Sequence, residues 1–361
     1  MIADRKNDHV NRALEQQRAG GRGNDFDAVA FVHHALAGID NADISLDTLL
    51  AGMHWKTPFF INGMTGGSEL TGAINRELAI AARETGIPIA SGSMSAYFKN
   101  ETTADTFRVL RRENPSGVVM ANVNANATVD LAKRAVDLLE ANALQIHLNS
   151  VQEIVMPEGD RSFGSWPRQI ELIVSALEVP VIVKEVGFGL SRKTVESLRA
   201  AGVSVADVGG RGGTNFADIE NSRRQSADYS FITGWGQSAT ACLLDSYGIG
   251  GIQLAASGGV RSPLDVARGL ALGASAVGVA GCFLEALATH GTEALIAMIR
   301  TWDEQLRQIM TVLGVRTPDE FTNCDLLLTA PLETYCGLRN IAAETFSRRS
   351  ETNAAETLRT A

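Results

Sequence analysis

The sequence predicts an α/β protein and, within that class, a TIM (β/α)8 barrel. About eight units repeat along the chain, each an apolar run of strand length followed by apolar residues at helical spacing. The apolar runs are continuous, which is typical of parallel strands buried on both faces. The 35 glycines favour many tight turns between strands and helices. Eight such units fit a closed barrel better than an open sheet.

The first unit shows the pattern most clearly. Its apolar run PFFINGMTGG, residues 58–67, ends in glycines, and Gly86 closes the helical stretch that follows. The eight strands are predicted at 58–67, 87–93, 117–124, 143–149, 179–186, 204–210, 251–259 and 274–281. The helices after them are predicted at 71–86, 105–114, 128–142, 166–178, 191–202, 236–248 and 262–273, and in a long helical region that reaches about Leu313.

The chain divides into three predicted parts. Residues 1–50 form an N-terminal segment that closes over the site, and its RKNDHVNRALEQQ stretch can form a short helix. Residues 51–345 form the barrel. Residues 346–361 are polar, charged and aperiodic, so we predict a mobile tail.

The charge balance limits the possible ligands. A formal charge of -9 argues against a nucleic-acid partner, because phosphate backbones are held by clustered Lys and Arg. An anionic ligand must therefore be small and met by local donors. Arg5, Lys6 and His9 form a basic cluster that either closes over such an anion or is simply solvated.

The compartment is predicted from the cysteines and the N-terminus. Cys242, Cys282, Cys324 and Cys336 show no CxxC spacing and no disulfide-rich density, which favours a reduced compartment. The N-terminus lacks the apolar core of a signal peptide, and no run approaches membrane-spanning length. We therefore expect a cytoplasmic protein with no membrane partner.

Candidate catalytic residues lie at the end of the fourth predicted strand and in the loop after it, in the stretch from Ala143 to Phe163. Its strand ALQIHLN is followed by polar residues, and loops that leave the carboxyl ends of barrel strands carry the chemistry in this fold. The candidates are His147, Asn149, Gln152 and Glu153. An ordinary polar surface loop is the alternative.

Glycine-rich loops after the last three predicted strands favour phosphate binding. They are GGRGGTNF with Thr214, SGGVRS at residues 257–262 and VAG at residues 279–281. Small residues let a phosphate approach backbone N–H groups near a helix N-terminus. Lys184 follows four apolar residues and points into the barrel mouth, where it either faces an anionic or electron-rich ligand such as a flavin or forms a structural ion pair with Glu185 or another carboxylate.

Together these segments resemble type 2 isopentenyl diphosphate isomerase, the FMN-dependent form. The resemblance runs from about Arg5 to about Gly337 and rests on RKNDH, NGMTGG, GSMSA, HLNSVQEIVMPEGDRSF, VPVIVKEVGFG, GGRGGTNFADIENSRR and SGGVRS. It implies a TIM barrel that uses FMN kept reduced by NADPH, requires Mg²⁺, and interconverts isopentenyl and dimethylallyl diphosphate. It also implies a homotetramer or homo-octamer.

The resemblance assigns roles to individual residues. Those implied to hold FMN are Met64, Thr65, Gly66, Ser93, Asn122, Lys184, Thr214, Gly258, Gly259, Val260, Ala280 and Gly281. Those implied to contact the substrate or act in catalysis are Arg5, Lys6, Ser93, His147, Asn149 and Gln152. Glu153 is the implied Mg²⁺ ligand. Many relatives have Gln after the serine of the second strand, and some have Arg soon after it. Here the order is Ser93-Met94-Ser95, so Ser95 and Lys99 are candidates to replace that contact.

The implied mechanism is a 1,3-shift of a double bond, which needs one proton delivered and another removed with cationic character between. A reduced flavin can stabilise that charge, and Gln152 would orient the reacting end or relay a proton. No net redox change occurs.

Three alternatives stay open. An FMN-dependent 2-hydroxy-acid oxidase has a similar barrel but needs a His base near the end of strand six or seven, which GGRGG and SGGVR lack. A purine-nucleotide reductase would need a nucleophilic Cys after strand six, whereas Cys242 lies within a predicted helix. A phosphate-sensing barrel would leave the polar residues after strand four without a role.

Overall fold

A closed barrel of eight parallel strands forms the core of the chain. The computed structural model describes residues 2–19 and 23–351, with side chains from Arg5 onward. The strands are β1 (Val29–Phe31), β2 (Thr48–Leu50), β3 (Met53–Trp55), β4 (Phe59–Ile61), β5 (Ile89–Ala90), β6 (Val119–Asn124), β7 (Ala143–Leu148), β8 (Val181–Glu185), β9 (Val205–Asp207), β10 (Gln253–Ser257), β11 (Ala276–Val279) and β12 (Leu326–Leu328). Strands β4 to β11 pair in chain order, and β11 pairs with β4 to close the barrel.

Helices cover the outside of the barrel and one crosses its mouth. They are α1 (Ile2–Ala19), α2 (Glu69–Thr85), α3 (Ser95–Lys99), α4 (Asp105–Glu113), α5 (Val129–Leu139), α6 (Ser150–Val155), α7 (Trp166–Ala176), α8 (Arg192–Ala200), α9 (Phe216–Ser222), α10 (Ala239–Ser246), α11 (Pro263–Ala271), α12 (Gly281–His290), α13 (Thr292–Leu313), α14 (Leu332–Arg339) and α15 (Ala343–Phe346). In residues 2–19 and 23–351, none of these helices combines the length and apolarity that a membrane crossing requires.

The predicted barrel is confirmed, and each of the eight predicted apolar runs contains one barrel strand. Side chains near the starts of the strands, among them Phe60, Met120 and Ile182, form an apolar layer inside the barrel. Trp55 joins this layer and meets Phe60 edge-on with 5.5 Å between the ring centroids. The β2–β3 hairpin therefore closes the amino-terminal end of the barrel, which leaves the carboxyl ends of the strands for the site.

Two small antiparallel sheets were not predicted. Strand β1 pairs with β12, and β2 pairs with β3. Each of these strands has three residues, which is too short to show a sequence period. The β1–β12 pair also joins segments from opposite ends of the chain, so no local signal marks it.

The beginning of the predicted mobile tail is packed. Phe346 is 1% exposed, and the buried Arg349 donates from Nη1 to the carbonyl of Ala271 at 2.7 Å. Ser350 donates from Oγ to Asp325 at 2.6 Å. Residues 346–351 thus differ from the prediction because one aromatic and one guanidinium group find partners in the core. Residues 352–361 lie outside the described residues.

Candidate active site

A cavity of about 810 Å³ lies at the carboxyl ends of the barrel strands. This volume falls in the range of small-molecule sites. Nearly all residues proposed from the sequence line it: Arg5, Lys6, Met64, Thr65, Ser93, Asn122, His147, Asn149, Gln152, Glu153, Lys184, Thr214, Gly258, Gly259, Val260, Ala280 and Gly281. The structure thus brings together residues that lie far apart in the sequence.

Gly66 is the exception. It does not line the cavity, and a Cβ added to it would lie 2.1 Å from Cε1 of Phe107. Its φ of 151° is also a conformation that side chains rarely adopt. The glycine is therefore needed for the packing of Phe107 beside α2, and the structure gives it no direct place at the site.

Two glycine loops press against each other on one side of the cavity. A Cβ on Gly258 would lie 1.9 Å from the carbonyl oxygen of Gly210, and a Cβ on Gly213 would lie 2.8 Å from the backbone nitrogen of Gly259. Next to them Gly281 begins α12, whose first backbone N–H groups have no partner within the helix. Close backbone approach beside a helix N-terminus is the arrangement that accommodates a phosphate.

Lys184 is buried in the wall of the cavity. Its Nζ donates to the backbone carbonyl of Glu185 at 2.9 Å and forms no ion pair with a described carboxylate. The carboxylate of Glu185 instead accepts from the backbone nitrogens of Val186, Phe188 and Gly189. Burial raises the pKa of Glu185 to about 7, although these hydrogen bonds and the charge of Lys184 act to lower it. Among the described residues Lys184 therefore has no ion pair of the kind considered in the sequence analysis, and its ammonium keeps donor capacity toward the cavity.

His147 belongs to a chain of buried polar side chains inside the barrel. Its Nδ1 lies 2.7 Å from Oδ1 of Asn122, and Asn122 donates to Oε1 of Gln145 at 3.0 Å. Burial, followed by the charges of Lys184 and Lys6, lowers the pKa of His147 to about 3. The imidazole is therefore neutral in this environment.

Gln152 and Glu153 lie on the short helix α6, where a loop was predicted. Gln152 donates from Nε2 to Glu220 at 2.9 Å. Glu153 accepts from Asn149 Nδ2 at 2.9 Å and from the backbone nitrogen of Asp160 at 2.7 Å. Successive side chains on a helix point about 100° apart, so these neighbours face different parts of the same cavity.

One part of the cavity lining is positively charged. It is formed by Arg5 and Lys6 on α1, with Lys99 at the end of α3. Burial and the neighbouring charge of Arg5 lower the pKa of Lys6 to about 8, with an opposing effect from Glu220 and a small further lowering from Lys99. Nε of Arg5 is buried without a hydrogen-bond partner among the described residues. A cluster of cations with an unused donor favours an anion.

Helix α1 is attached to α9 by two sets of bonds. Gln16 pairs with the backbone of Asn215, donating to its carbonyl at 3.2 Å and accepting from its nitrogen at 2.8 Å. His9 Nε2 lies 3.0 Å from Oε1 of the buried Glu220, which also bonds to Arg223. These contacts hold α1 against the cavity, which its residues help to line.

The Ser93-Met94-Ser95 segment, where this chain differs from many relatives, places two hydroxyl groups beside each other. Ser93 and Ser95 are linked through their hydroxyl groups at 2.8 Å, and both line the cavity together with Lys99. The positions that sequence reasoning offered as replacements therefore reach the site.

Several buried polar residues in or behind the cavity wall were not predicted from the sequence. Asn62 and Asp207 directly follow apolar residues at the ends of β4 and β9 and carried the same signal as His147. Gln145 lies in the middle of an apolar strand, and Glu220 lies in a polar insertion. The positions of these last two residues gave no sign that they are fully buried.

The comparison with known proteins first defines the class. Residues 102–327 match the FMN-dependent dehydrogenase family. The structure resembles the recombinant flavin-binding domain of baker's yeast flavocytochrome b2 with a TM-score of 0.62 and 19% identity, over 86% of this chain and 77% of that one. A mandelate oxidase mutant with the monooxide FMN adduct gives a TM-score of 0.59 and 18% identity over 88% and 92%. At such identities the likeness shows the barrel fold.

Curated relatives identify one family within this class of FMN-dependent proteins. Proteins named isopentenyl-diphosphate delta-isomerase are 64% identical in Nocardia farcinica, over 97% of both chains, and 59% identical in Streptomyces sp., over 96% of both. One from Latilactobacillus sakei is 43% identical over 94% of this chain and 97% of its own. The chain therefore belongs to the isopentenyl-diphosphate delta-isomerase family, in its FMN-dependent form, and is an enzyme.

Proposed function

We propose that the protein interconverts isopentenyl diphosphate and dimethylallyl diphosphate by a 1,3-allylic proton shift, as a step in isoprenoid biosynthesis. The observation that carries this proposal is that one cavity holds two anion-binding regions, the glycine loops and the cationic cluster of Arg5, Lys6 and Lys99. One fits the phosphate of FMN and the other fits a diphosphate. Polar side chains from α6 lie in the same cavity.

The glycine loops and Lys184 support FMN as the cofactor. The close packing of Gly258 against Gly210 would not survive a side chain, and α12 begins beside it. Thr65, Ser93, Asn122 and Thr214 would hold the remaining polar groups. Reduced FMN, primed by NADPH, would supply an electron-rich ring that serves as the acid/base group beside the hydrocarbon chain.

The surroundings of Glu153 support a Mg²⁺ ion shared with the diphosphate. Among the described residues no group of three or more His, Cys, Asp or Glu side chains can hold a metal on its own. Mg²⁺ keeps several waters and commonly binds through one or two carboxylates plus substrate phosphates. One carboxylate on α6 facing a diphosphate site fits that pattern.

The remaining residues bind and orient the substrate. Arg5 and Lys6 would hold the diphosphate, with Lys99 and Ser95 replacing the contact that is missing after Ser93. Gln152, fixed by its bond to Glu220, would orient the reacting hydrocarbon end, while His147 and Asn149 contact the substrate. Because α1 lies over the cavity, it would also keep water away from the cationic transition state.

The test is turnover of isopentenyl diphosphate by the purified protein, followed together with its visible spectrum. We expect a flavin spectrum, product formation only with reduced flavin and Mg²⁺, and NADPH consumption that primes the enzyme but does not scale with product. NADPH consumed in proportion to product would contradict an acid/base role for the flavin. Absence of a flavin would remove the proposal altogether.

A 2-hydroxy-acid oxidase reaction has less support. Its base would be a His after the sixth or seventh barrel strand, and the loops that follow β9 and β10, residues 209–213 and 257–261, contain none. The cytoplasmic location and the homotetramer or homo-octamer stay predictions from the resemblance, and sedimentation of the holoenzyme would test the second of them.

A further inference from the structure

We infer that Gln145 is a positioning residue that fixes which ring nitrogen of His147 carries the proton. Gln145 is fully buried and does not line the cavity, so it cannot touch a ligand. It lies instead in the middle of a chain of side chains that runs from Asp207 across the barrel interior to His147. Each link in this chain has one permitted direction.

The chain starts at the carboxylate of Asp207. Asp207 is wholly buried, and its carboxylate accepts from Ser257 Oγ at 2.7 Å and from the backbone nitrogen of Gly209 at 3.2 Å. The next contact is Asn62 Nδ2, which donates to Asp207 Oδ2 at 3.1 Å. The other end of the Asn62 amide is Oδ1, which accepts from the backbone nitrogen of Gly63 at 2.8 Å. A backbone N–H can only donate, so both ends of Asn62 are fixed.

The orientation of Asn62 then fixes the orientations of two further amides, those of Gln145 and Asn122. Because Asn62 Oδ1 is an acceptor, the Nε2 group of Gln145 faces it as a donor at 3.4 Å. Gln145 therefore presents Oε1 to Asn122, whose Nδ2 donates to it at 3.0 Å. Asn122 is left with Oδ1 toward His147. A carbonyl oxygen can only accept, so Nδ1 of His147 must carry a proton across the 2.7 Å contact.

The consequence concerns the ring nitrogen that remains. His147 lines the cavity, and in a neutral imidazole with its proton on Nδ1 the other nitrogen, Nε2, is a bare acceptor. The protein thus offers ligands a hydrogen-bond acceptor or proton acceptor here rather than a cation. Where this concerns catalysis it rests on the proposed function: a substrate or cofactor group that meets His147 must bring a hydrogen.

Replacing Gln145 by Met should release this constraint. Methionine has a similar length but neither donates nor accepts strongly. Asn122 could then turn its amide and present Nδ2 to His147, which would favour a proton on Nε2. We therefore expect the Gln145→Met holoenzyme to show both tautomers. We also expect a fall in kcat of about tenfold with a smaller change in KM, since the group lost is an orienting one.

The measurement is ¹⁵N NMR of the histidine-labelled holoenzyme without substrate, because protonated and bare ring nitrogens resonate far apart. His147→Gln assigns the signal. Ser91→Ala is the matched control: Ser91 directly follows β5, and its Oγ is equally buried but has no hydrogen-bond partner among the described residues. Its removal should leave the tautomer unchanged.

Two results would overturn the inference. One is a wild-type His147 with its proton on Nε2, and this measurement needs no Gln145 variant to fold. The other is a Gln145→Met protein whose tautomer populations equal those of the wild type. Because the spectrum is recorded without turnover, a protein with the expected tautomer but no isomerase activity would refute the proposed function and leave the inference standing.

Discussion

Lys184 combines burial with the lack of a described carboxylate partner. A buried ammonium needs compensation, and a bound flavin would provide it. Lys184→Ala should therefore retain less FMN after gel filtration and should turn over more slowly, while the far-UV circular dichroism stays unchanged. Lys193→Ala, on the exposed side of α8, is the control and should behave like the wild type. Equal FMN content and equal turnover in both variants would assign Lys184 a purely structural role.

Gln152 and Glu153 have different partners, so their substitutions should have different kinetic effects. Glu153→Gln removes a hard oxygen ligand, so it should raise the Mg²⁺ concentration needed for activity and weaken diphosphate binding. Gln152→Ala should lower kcat much more than it changes KM, because the amide acts at the reacting end. Steady-state titrations in isopentenyl diphosphate and in Mg²⁺ separate the two. A shifted Mg²⁺ dependence in Gln152→Ala, with none in Glu153→Gln, would reverse the assignment.

At the scale of elements, Glu220 joins α9 to α1. Burial raises its pKa, but the bonds from His9 and Gln152 and the charge of Arg223 outweigh that effect and lower it from 4.5 to about 2. A carboxyl group with a depressed folded pKa stabilises the fold above its unfolded pKa, and this contribution disappears as the pH falls through the folded value.

Glu220→Gln should therefore be less stable than the wild type at pH 7, by about 3 kcal/mol. The difference should shrink between pH 4.5 and pH 2. Urea unfolding at a series of pH values measures it, and Glu333→Gln, at an exposed carboxylate, should show no such trend. A constant difference across the whole pH series would mean that the carboxylate charge of Glu220 does not stabilise the fold.

The elements that sequence predicted best were those with a local signal. Each barrel strand lies in an apolar run that ends at glycine or a polar residue, and position along such a run also made His147, Asn149 and Lys184 candidates for the site. Strands β1 and β12 had no such signal because each is defined by its pairing with the other, which is distant in the sequence. Gln145 was missed for a related reason. Its buried amide is satisfied by hydrogen bonds to Asn62 and Asn122, and contacts between residues so far apart in the sequence leave no local pattern.

At the scale of the whole molecule, the packed end at residues 346–351 should contribute to stability. Phe346 lies against Tyr247 with 5.0 Å between the ring centroids, and the guanidinium of Arg349 lies 4.3 Å from the centre of its ring. Phe346→Ala should cost about 3–5 kcal/mol in the free energy of unfolding. Leu338→Ala, at a side chain that is 80% exposed, should cost less than about 0.5 kcal/mol. Equal urea midpoints for the two variants would mean that Phe346 belongs to the mobile tail and does not stabilise the fold.

The pairing of β1 with β12 constrains how the protein is made. Val29 is synthesised long before its partner Leu328, and β4 must likewise wait for β11. At roughly 5–20 residues per second, the first strands spend many seconds without their final neighbours. In the nascent chain β1 and β4 therefore remain without these partners until β12 and β11 have been synthesised. The barrel therefore cannot close before β11 has been synthesised, and the cavity lined by Ala280 and Gly281, which directly follow that strand, is complete only then.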